Sequence, residues 1–265
     1  MKALSQKRRH PFAGVALLLL GLLLTGGLYA AATTINEAQA SGEAESFSAT
    51  DVEEGERLFV ANCATCHGIN AEGTDAGPSL VGVGAASVDF QVGTGRMPMQ
   101  MQGPQAQVKP PQFNDEQTMQ LAAYVASLGA GPGIPDAEHT DADQGDPARG
   151  GELFRINCAM CHNAAAAGGA LTEGKYAPDL YGVEERHIYE AMTTGPQNMP
   201  VFSDANIPPD DKRDIISFLK TYEAQGTPGG FSLGSLGPVS EGLFIWTGGL
   251  AVIIASMVWL TSRSS

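Results

Sequence analysis

Uncharged, apolar residues gather at the two ends of the chain. From Phe12 to Ala32 no side chain is charged, and Leu17–Leu24 is almost all leucine. Those 21 residues, at 1.5 Å of helix each, suffice to cross a hydrocarbon core of about 30 Å. A second uncharged run covers the 18 residues Leu243–Leu260, with Trp246 and Trp259 near its ends and Arg263 just beyond. Interfacial Trp and a cytoplasmic Arg are the pattern of an anchor, so the sequence predicts a transmembrane helix within 243–265. Gly248-Gly249 inside it suits close packing on another membrane helix. Two readings of residues 1–40 stay open: a retained transmembrane helix, or a secretory signal with Ala38-Gln39-Ala40 as cleavage site. Lys7, Arg8 and Arg9 precede the run, and under either reading the positive-inside rule puts residue 33 onward outside the cytoplasm.

Between these ends the periodicity is helical. Thr50 with Glu53 has the form of a capping box opening a helix to about Asn62, with Phe59 one turn before Cys63. Asn114 with Gln117 caps a helix through Leu128, whose Leu121, Tyr124, Val125 and Leu128 recur at helical spacing. Ile215, Phe218, Leu219 and Tyr222 repeat that face. Alternating apolar and polar residues are scarce, so the predicted class is mainly α. The stretches between these helices are rich in Gly and Pro and read as loops that wrap something. So few helices make a thin core, which a large apolar prosthetic group would complete.

One pattern occurs twice. Phe59, Asn62, Cys63 and Cys66 match Phe154, Asn157, Cys158 and Cys161 at an offset of 95, and Gly55 opens the first copy as Gly151 opens the second. Pro78, Leu80, Gly82 and Val83 match Pro178, Leu180, Gly182 and Val183 at an offset of 100. Thr94-Gly95-Arg96-Met97-Pro98 then matches Thr194-Gly195, two extra residues, and Asn198-Met199-Pro200. Landmarks in constant order indicate duplicated domains of about 100 residues. Residues 41–128 and 148–224 are the two domains. Residues 129–147, rich in Gly, Pro and Asp, read as a linker, as do 33–49 and 225–242, the last irregular.

The net charge is -14 over 265 residues, but residues 41–242 hold 10 of the 15 basic and 28 of the 29 acidic residues, a net -18. Such a body has no basic patch for phosphates, which excludes a nucleic-acid binder. A docking partner should present a neutral or basic face. Four cysteines are too few for a disulfide scaffold of this length.

Those cysteines carry the chemistry. Cys63-Ala64-Thr65-Cys66-His67 and Cys158-Ala159-Met160-Cys161-His162 have the form of c-type haem attachment sites. Two thiols one helical turn apart reach the two vinyl groups of one porphyrin, and the adjacent His67 or His162 supplies a nitrogen to the iron. A zinc site would join cysteines 95 residues apart and leave both histidines unexplained. A thioredoxin-like pair needs a βαβ context that is missing. Met97 and Met199, each before a proline at equivalent repeat positions, are the candidates for the opposite iron face, where a thioether raises the potential. Met99 and Met101 are rivals to Met97; Met192 and His187 are weaker rivals to Met199. Two filled axial positions mean electron transfer. His139 reads as solvated, and His187 as a packing residue on a short helix.

Each repeat resembles a class I cytochrome c domain: the N-terminal helix, Cys-x-x-Cys-His, Pro-x-Leu, Met-Pro and closing aromatic helix come in the family order. The resemblance implies two covalently bound haems c. It implies that the Pro78 and Pro178 carbonyls accept a hydrogen bond from the ligand histidines. It also implies that Tyr124 and Phe218 are the closing-helix aromatics packed near the N-terminal helix and haem. The layout of tandem domains between an N-terminal apolar segment and a C-terminal anchor, with phrases such as Gly-Arg-Met-Pro and Lys109-Pro110-Pro111, resembles the dihaem cytochrome cc subunits of actinobacterial menaquinol–cytochrome c reductases. That implies the electron-transfer subunit of a translocating quinol–cytochrome c reductase, with no substrate-converting site of its own. Electrons would run from a Rieske iron–sulfur subunit, beside a cytochrome b subunit, through both haems to the copper centre of a cytochrome c oxidase. The protein would sit in the cell membrane, in contact with lipid, with its haem domains extracytoplasmic. The alternative is a dihaem subunit of another membrane oxidase or dehydrogenase. A dihaem peroxidase would need an open or His-ligated haem.

Overall fold

The computed structural model describes residues 13–40, 47–101, 103–225 and 238–262. The chain divides into two units, 1–46 and 47–265. The first contributes one helix, α1 (Ala13–Ala40), whose Val15–Tyr29 stretch is apolar. The helix continues through 33–40, which the pattern above assigned to a linker; Glu37, Ala38, Gln39 and Ala40 are strong helix formers with no Gly or Pro among them. Ala38-Gln39-Ala40 is therefore helical, while the Lys7–Arg9 cluster lies outside the described residues.

In the second unit both repeats use the same parts. The first has α2 (Ala49–Asn62), the single turn α3 (Ala64–His67), α4 (Ala85–Gly93) and α5 (Asp115–Ser127). After a connecting turn α6 (Ala137–Thr140), the second has α7 (Pro147–Asn157), the single turn α8 (Ala159–His162), α9 (Glu185–Thr194) and α10 (Pro209–Gln225). A two-stranded antiparallel ribbon, β1 (Gly169–Ala170) with β2 (Tyr176–Ala177), pairs Gly169 with Ala177 and Ala170 with Tyr176 in the second repeat. Helix α11 (Pro238–Ser262) closes the described chain.

The capping box of α2 lies two residues earlier than the sequence pattern placed it. Ser48 accepts from the Asp51 amide at 3.1 Å, and the Asp51 carboxylate accepts from the Ser48 amide at 3.1 Å. Asn114 and Gln117 cap α5 reciprocally, as read from the sequence.

Each repeat crosses its first and last long helices. Phe59 on α2 is buried with its ring centroid 5.1 Å from that of Tyr124 on α5. Phe154 on α7 is buried 5.4 Å from Phe218 on α10. The crossing needs a glycine. A Cβ on Gly55 would lie 1.9 Å from the Gln120 carbonyl oxygen, and one on Gly150 would lie 1.8 Å from that of Asp214. Gly150, not Gly151, is thus the counterpart of Gly55, which also restores the offset of 95 shared by the phenylalanines and cysteines.

Residues 129–147 are tied to both repeats. Pro132 accepts from the Ala86 amide on α4 at 3.1 Å, which ties the segment to the first repeat. The His139 ring sits 6.2 Å from Tyr189, Arg213 donates to the Glu138 carbonyl at 3.3 Å, and Ser217 donates to the Gly145 carbonyl at 3.2 Å, which tie it to the second. Composition marked this stretch as a linker, and His139 as solvated. Backbone hydrogen bonds to fixed partners, invisible in composition, hold it instead.

Helix α11 carries 22 residues, Glu241–Ser262, of mean hydropathy 2.1, long and apolar enough to cross a membrane. The hydroxyls of Thr247 and Ser256 each donate to the carbonyl four residues back, at 2.8 Å, so neither needs water. Residues 226–237 of the predicted second linker, and Arg263, lie outside the described residues.

Candidate functional site

The two Cys-x-x-Cys-His segments fold alike. Cys63 ends α2, its amide donating to the Phe59 carbonyl at 2.7 Å; Cys158 ends α7, donating to Phe154 at 2.8 Å. The chain then turns once. Cys66 and His67 both donate to the Cys63 carbonyl, at 3.1 and 3.0 Å, and Cys161 and His162 donate to Cys158 at 3.1 and 2.9 Å. A buried phenylalanine one turn earlier thereby locks the first cysteine to the helix crossing. The following turn carries the second cysteine and the histidine around together.

The loops that follow close by matching bonds. Gly73 donates to the His67 carbonyl at 2.7 Å and Gly168 to that of His162 at 3.0 Å; Leu80 donates to Ala71 at 2.8 Å and Leu180 to Ala166 at 2.9 Å. This closure brings the prolines to the histidines. His67 Nδ1 donates to the Pro78 carbonyl at 2.8 Å, and His162 Nδ1 to the Pro178 carbonyl at 2.9 Å. A carbonyl only accepts, so Nδ1 carries the proton and Nε2 keeps a free lone pair, the state a metal-binding imidazole requires. Burial lowers the His162 pKa, and the bond to Pro178 partly offsets this.

None of the four cysteines is in a disulfide. Burial, with the neighbouring cysteine second, pushes the Cys63 thiol up to about 11 and the Cys158 thiol up to about 12. Redox-active Cys-x-x-Cys pairs work by the opposite shift. Cys66 and Cys161 are exposed.

Met97 is half-buried against the first core, as are Leu80, Val83 and Phe113; Met199 is half-buried against the second, as are Leu180, Val183 and Phe202. Apolar side chains left half-covered around two thin cores suit a large apolar group. Thiols, a histidine nitrogen and a thioether in each repeat are the donor set for a haem c. Of the rivals, Met99 and Met101 are exposed, Met192 is buried within the second core, and His187 turns toward the first repeat. Tyr124 and Phe218 stand on the closing helices against Phe59 and Phe154.

One residue near the methionines went unread in the sequence. Lys109 Nζ donates to the carbonyls of Gly95 and Pro98, at 2.6 Å for Pro98, and so clamps the loop on both sides of Met97. A lysine beside two prolines was the available signal, but its partners lie more than ten residues away.

Two family models match the chain: cytochrome c over residues 52–129, and cytochrome c oxidase, cbb3-type, subunit III over residues 145–219. Among curated proteins, the cytochrome bc1 complex cytochrome c subunit of Corynebacterium efficiens is 46% identical, with 98% of this chain and 92% of the relative aligned. The subunit of the same name from Mycobacterium tuberculosis is 43% identical over 98% of this chain and 94% of its own. The cbb3-type cytochrome c oxidase subunit FixP of Sinorhizobium medicae is 30% identical over 54% of this chain and 50% of its own.

Proposed function

Since the chain belongs to the family of cytochrome bc1 complex cytochrome c subunits, we propose that it is the dihaem electron carrier of a quinol–cytochrome c reductase, a translocase. Each domain, 41–128 and 148–224, would hold one haem c, which would supply one-electron chemistry. Cys63 and Cys66, and Cys158 and Cys161, form the thioether links. His67 with Met97, and His162 with Met199, would offer a nitrogen and a sulfur to each iron. The Pro78 and Pro178 carbonyls hold each imidazole in the tautomer that offers Nε2 to iron. Tyr124 and Phe218 hold the closing helix against the haem-bearing corner.

With a histidine and a methionine committed to each iron, the chain would convert no substrate of its own. It accepts electrons from the Rieske iron–sulfur subunit, alongside a cytochrome b subunit, and delivers them to the copper centre of a cytochrome c oxidase. Helix α11 anchors it in the cell membrane with the haem domains extracytoplasmic.

The observation that carries this reading is the bond from histidine Nδ1 to a proline carbonyl behind each Cys-x-x-Cys-His. Purification in mild detergent tests it: two covalent haems per chain, with a cytochrome b and a Rieske protein co-purifying, are expected. A preparation containing neither partner would sink the reductase assignment. The match of residues 145–219 to a cbb3 oxidase subunit favours a second reading, a carrier attached to a membrane oxidase alone. Co-purification of an oxidase without cytochrome b would establish that one.

A further inference from the structure

The contact between the repeats holds polar groups that haem binding does not use. Helices α4 and α9 occupy equivalent places in the duplication and pack on each other. Asp89 on α4 is 1% exposed, His187 on α9 is 8% exposed and Glu190 is 0% exposed. One ligand-capable atom of each lies within 4.8 Å of the others. His187 and Glu190 stand three residues apart on one helix face. Gly93, one turn after Asp89, makes room for the imidazole: a Cβ there would lie 3.0 Å from His187 Nε2 and 3.5 Å from Asp89 Oδ1.

These groups are incompletely partnered. Among the described residues, His187 Nε2, both Glu190 oxygens and Asp89 Oδ2 are buried with no hydrogen-bond partner, an arrangement that folded proteins rarely tolerate. Arg186 Nε lies 3.1 Å from Asp89 Oδ2, an ion pair without the alignment of a hydrogen bond, and balances one carboxylate. Arg96 is engaged over the Phe90 ring at 4.6 Å, and that ring meets His187 edge-on. Glu190 is left without a cation of its own. Burial first, and the Asp89 charge second, push its carboxyl up to about 10. Burial lowers His187, which keeps the imidazole neutral at neutral pH.

We propose that Asp89, His187 and Glu190 form a divalent transition-metal site that clasps the two haem domains together, with zinc the best match. Three protein ligands from oxygen and imidazole nitrogen suit Zn²⁺, whereas calcium and magnesium take oxygen sets. The ion supplies the positive charge that two buried carboxylates and a single arginine leave short. His187 Nδ1 faces Glu184 Oε2 at 3.8 Å, the outer carboxylate that orients a metal-bound imidazole. The competing state has no ion: Glu190 stays protonated and donates to Asp89.

The test uses the full-length holoprotein in detergent, stripped with EDTA and titrated with Zn²⁺ at neutral pH. About one zinc per chain is expected by calorimetry and elemental analysis, with the melting temperature rising as zinc is added. Affinity should fall as pH falls, because ligands must shed protons to bind. Glu190→Gln, His187→Gln and Asp89→Asn should each abolish stoichiometric binding while the absorption of both haems stays intact, which reports folding. No stoichiometric zinc in the native protein, or equal zinc in native protein and folded variants, overturns the proposal. A Glu190→Gln variant that is more stable than the native protein, with zinc without effect on either, would establish the shared proton in its place.

Discussion

In the first repeat the methionine loop is clamped by a cation: Lys109 reaches the backbone on both sides of Met97. In the second repeat the loop is two residues longer, Gln197 turns to a φ of 59°, and Lys175 meets side chains rather than loop backbone, Asn198 at 3.1 Å and Glu173 at 3.7 Å. The Cys-x-x-Cys-His corners diverge far less: the bonds of both cysteines and the histidine recur, and the bond from the Gly68 amide to Ala64, at 2.9 Å, is the one not matched, at Asn163. The corner must present two thiols and a nitrogen to one rigid ring, which fixes its geometry. The methionine loop must deliver one sulfur atom, and different lengths and supports can do that.

The comparison can be broken or sharpened by substitution, in descending order of effect. Removing both thiols of one corner, as Cys63→Ala/Cys66→Ala or Cys161→Ala/Cys158→Ala, should remove about half of the haem stain on a denaturing gel, with each corner contributing equally. Loss of both haems from one double substitution would show that the domains do not load independently. Next comes Met97→His or Met199→His, which should retain the haem and lower one midpoint in a redox titration by on the order of 100 mV. Two unmoved potentials would mean that the methionines are not ligands.

Gly55→Ala and Gly150→Ala come third. Each drives a Cβ into a backbone carbonyl, and each should lower stability by about 1–3 kcal/mol in thermal unfolding. Similar costs would confirm one shared crossing, while a harmless Gly150→Ala paired with a damaging Gly151→Ala would restore the other alignment. Smallest is the lysine pair. Lys109→Met should cost about 1 kcal/mol and make Met97 easier to displace by added imidazole, followed by absorption. Lys175→Met, which loses an exposed contact, should change neither. Equal behaviour of the two would erase the difference between the loops.

Much of the site could be read without coordinates because it is local. Cys63, Cys66 and His67 sit within one turn, and so do their counterparts, so spacing alone shows the donor set. The Asn114 cap is similarly local. Ser48 was missed because Thr50 with Glu53 fits the same pattern, and only the burial of Phe59 and Gly55 sets the face that α2 must present. Helix α4 was missed because Val88, Phe90 and Val92 follow an unremarkable Gly-rich stretch, and α4 is apolar on two sides: one faces the first core, the other faces α9.

The sequence by itself determined the duplicated domains, their helical class, the haem-binding chemistry and an apolar C-terminal span, because each rests on spacing or composition within a few turns of chain. Tertiary structure decided how the copies meet. It selected Gly150 over Gly151, left Met99 and Met101 in solvent, drew residues 129–147 onto both repeats, and buried Asp89 against His187 and Glu190. Those outcomes depend on which surfaces lose water together, and the partners stand roughly 45 to 100 residues apart. Local pattern carries no record of such pairings.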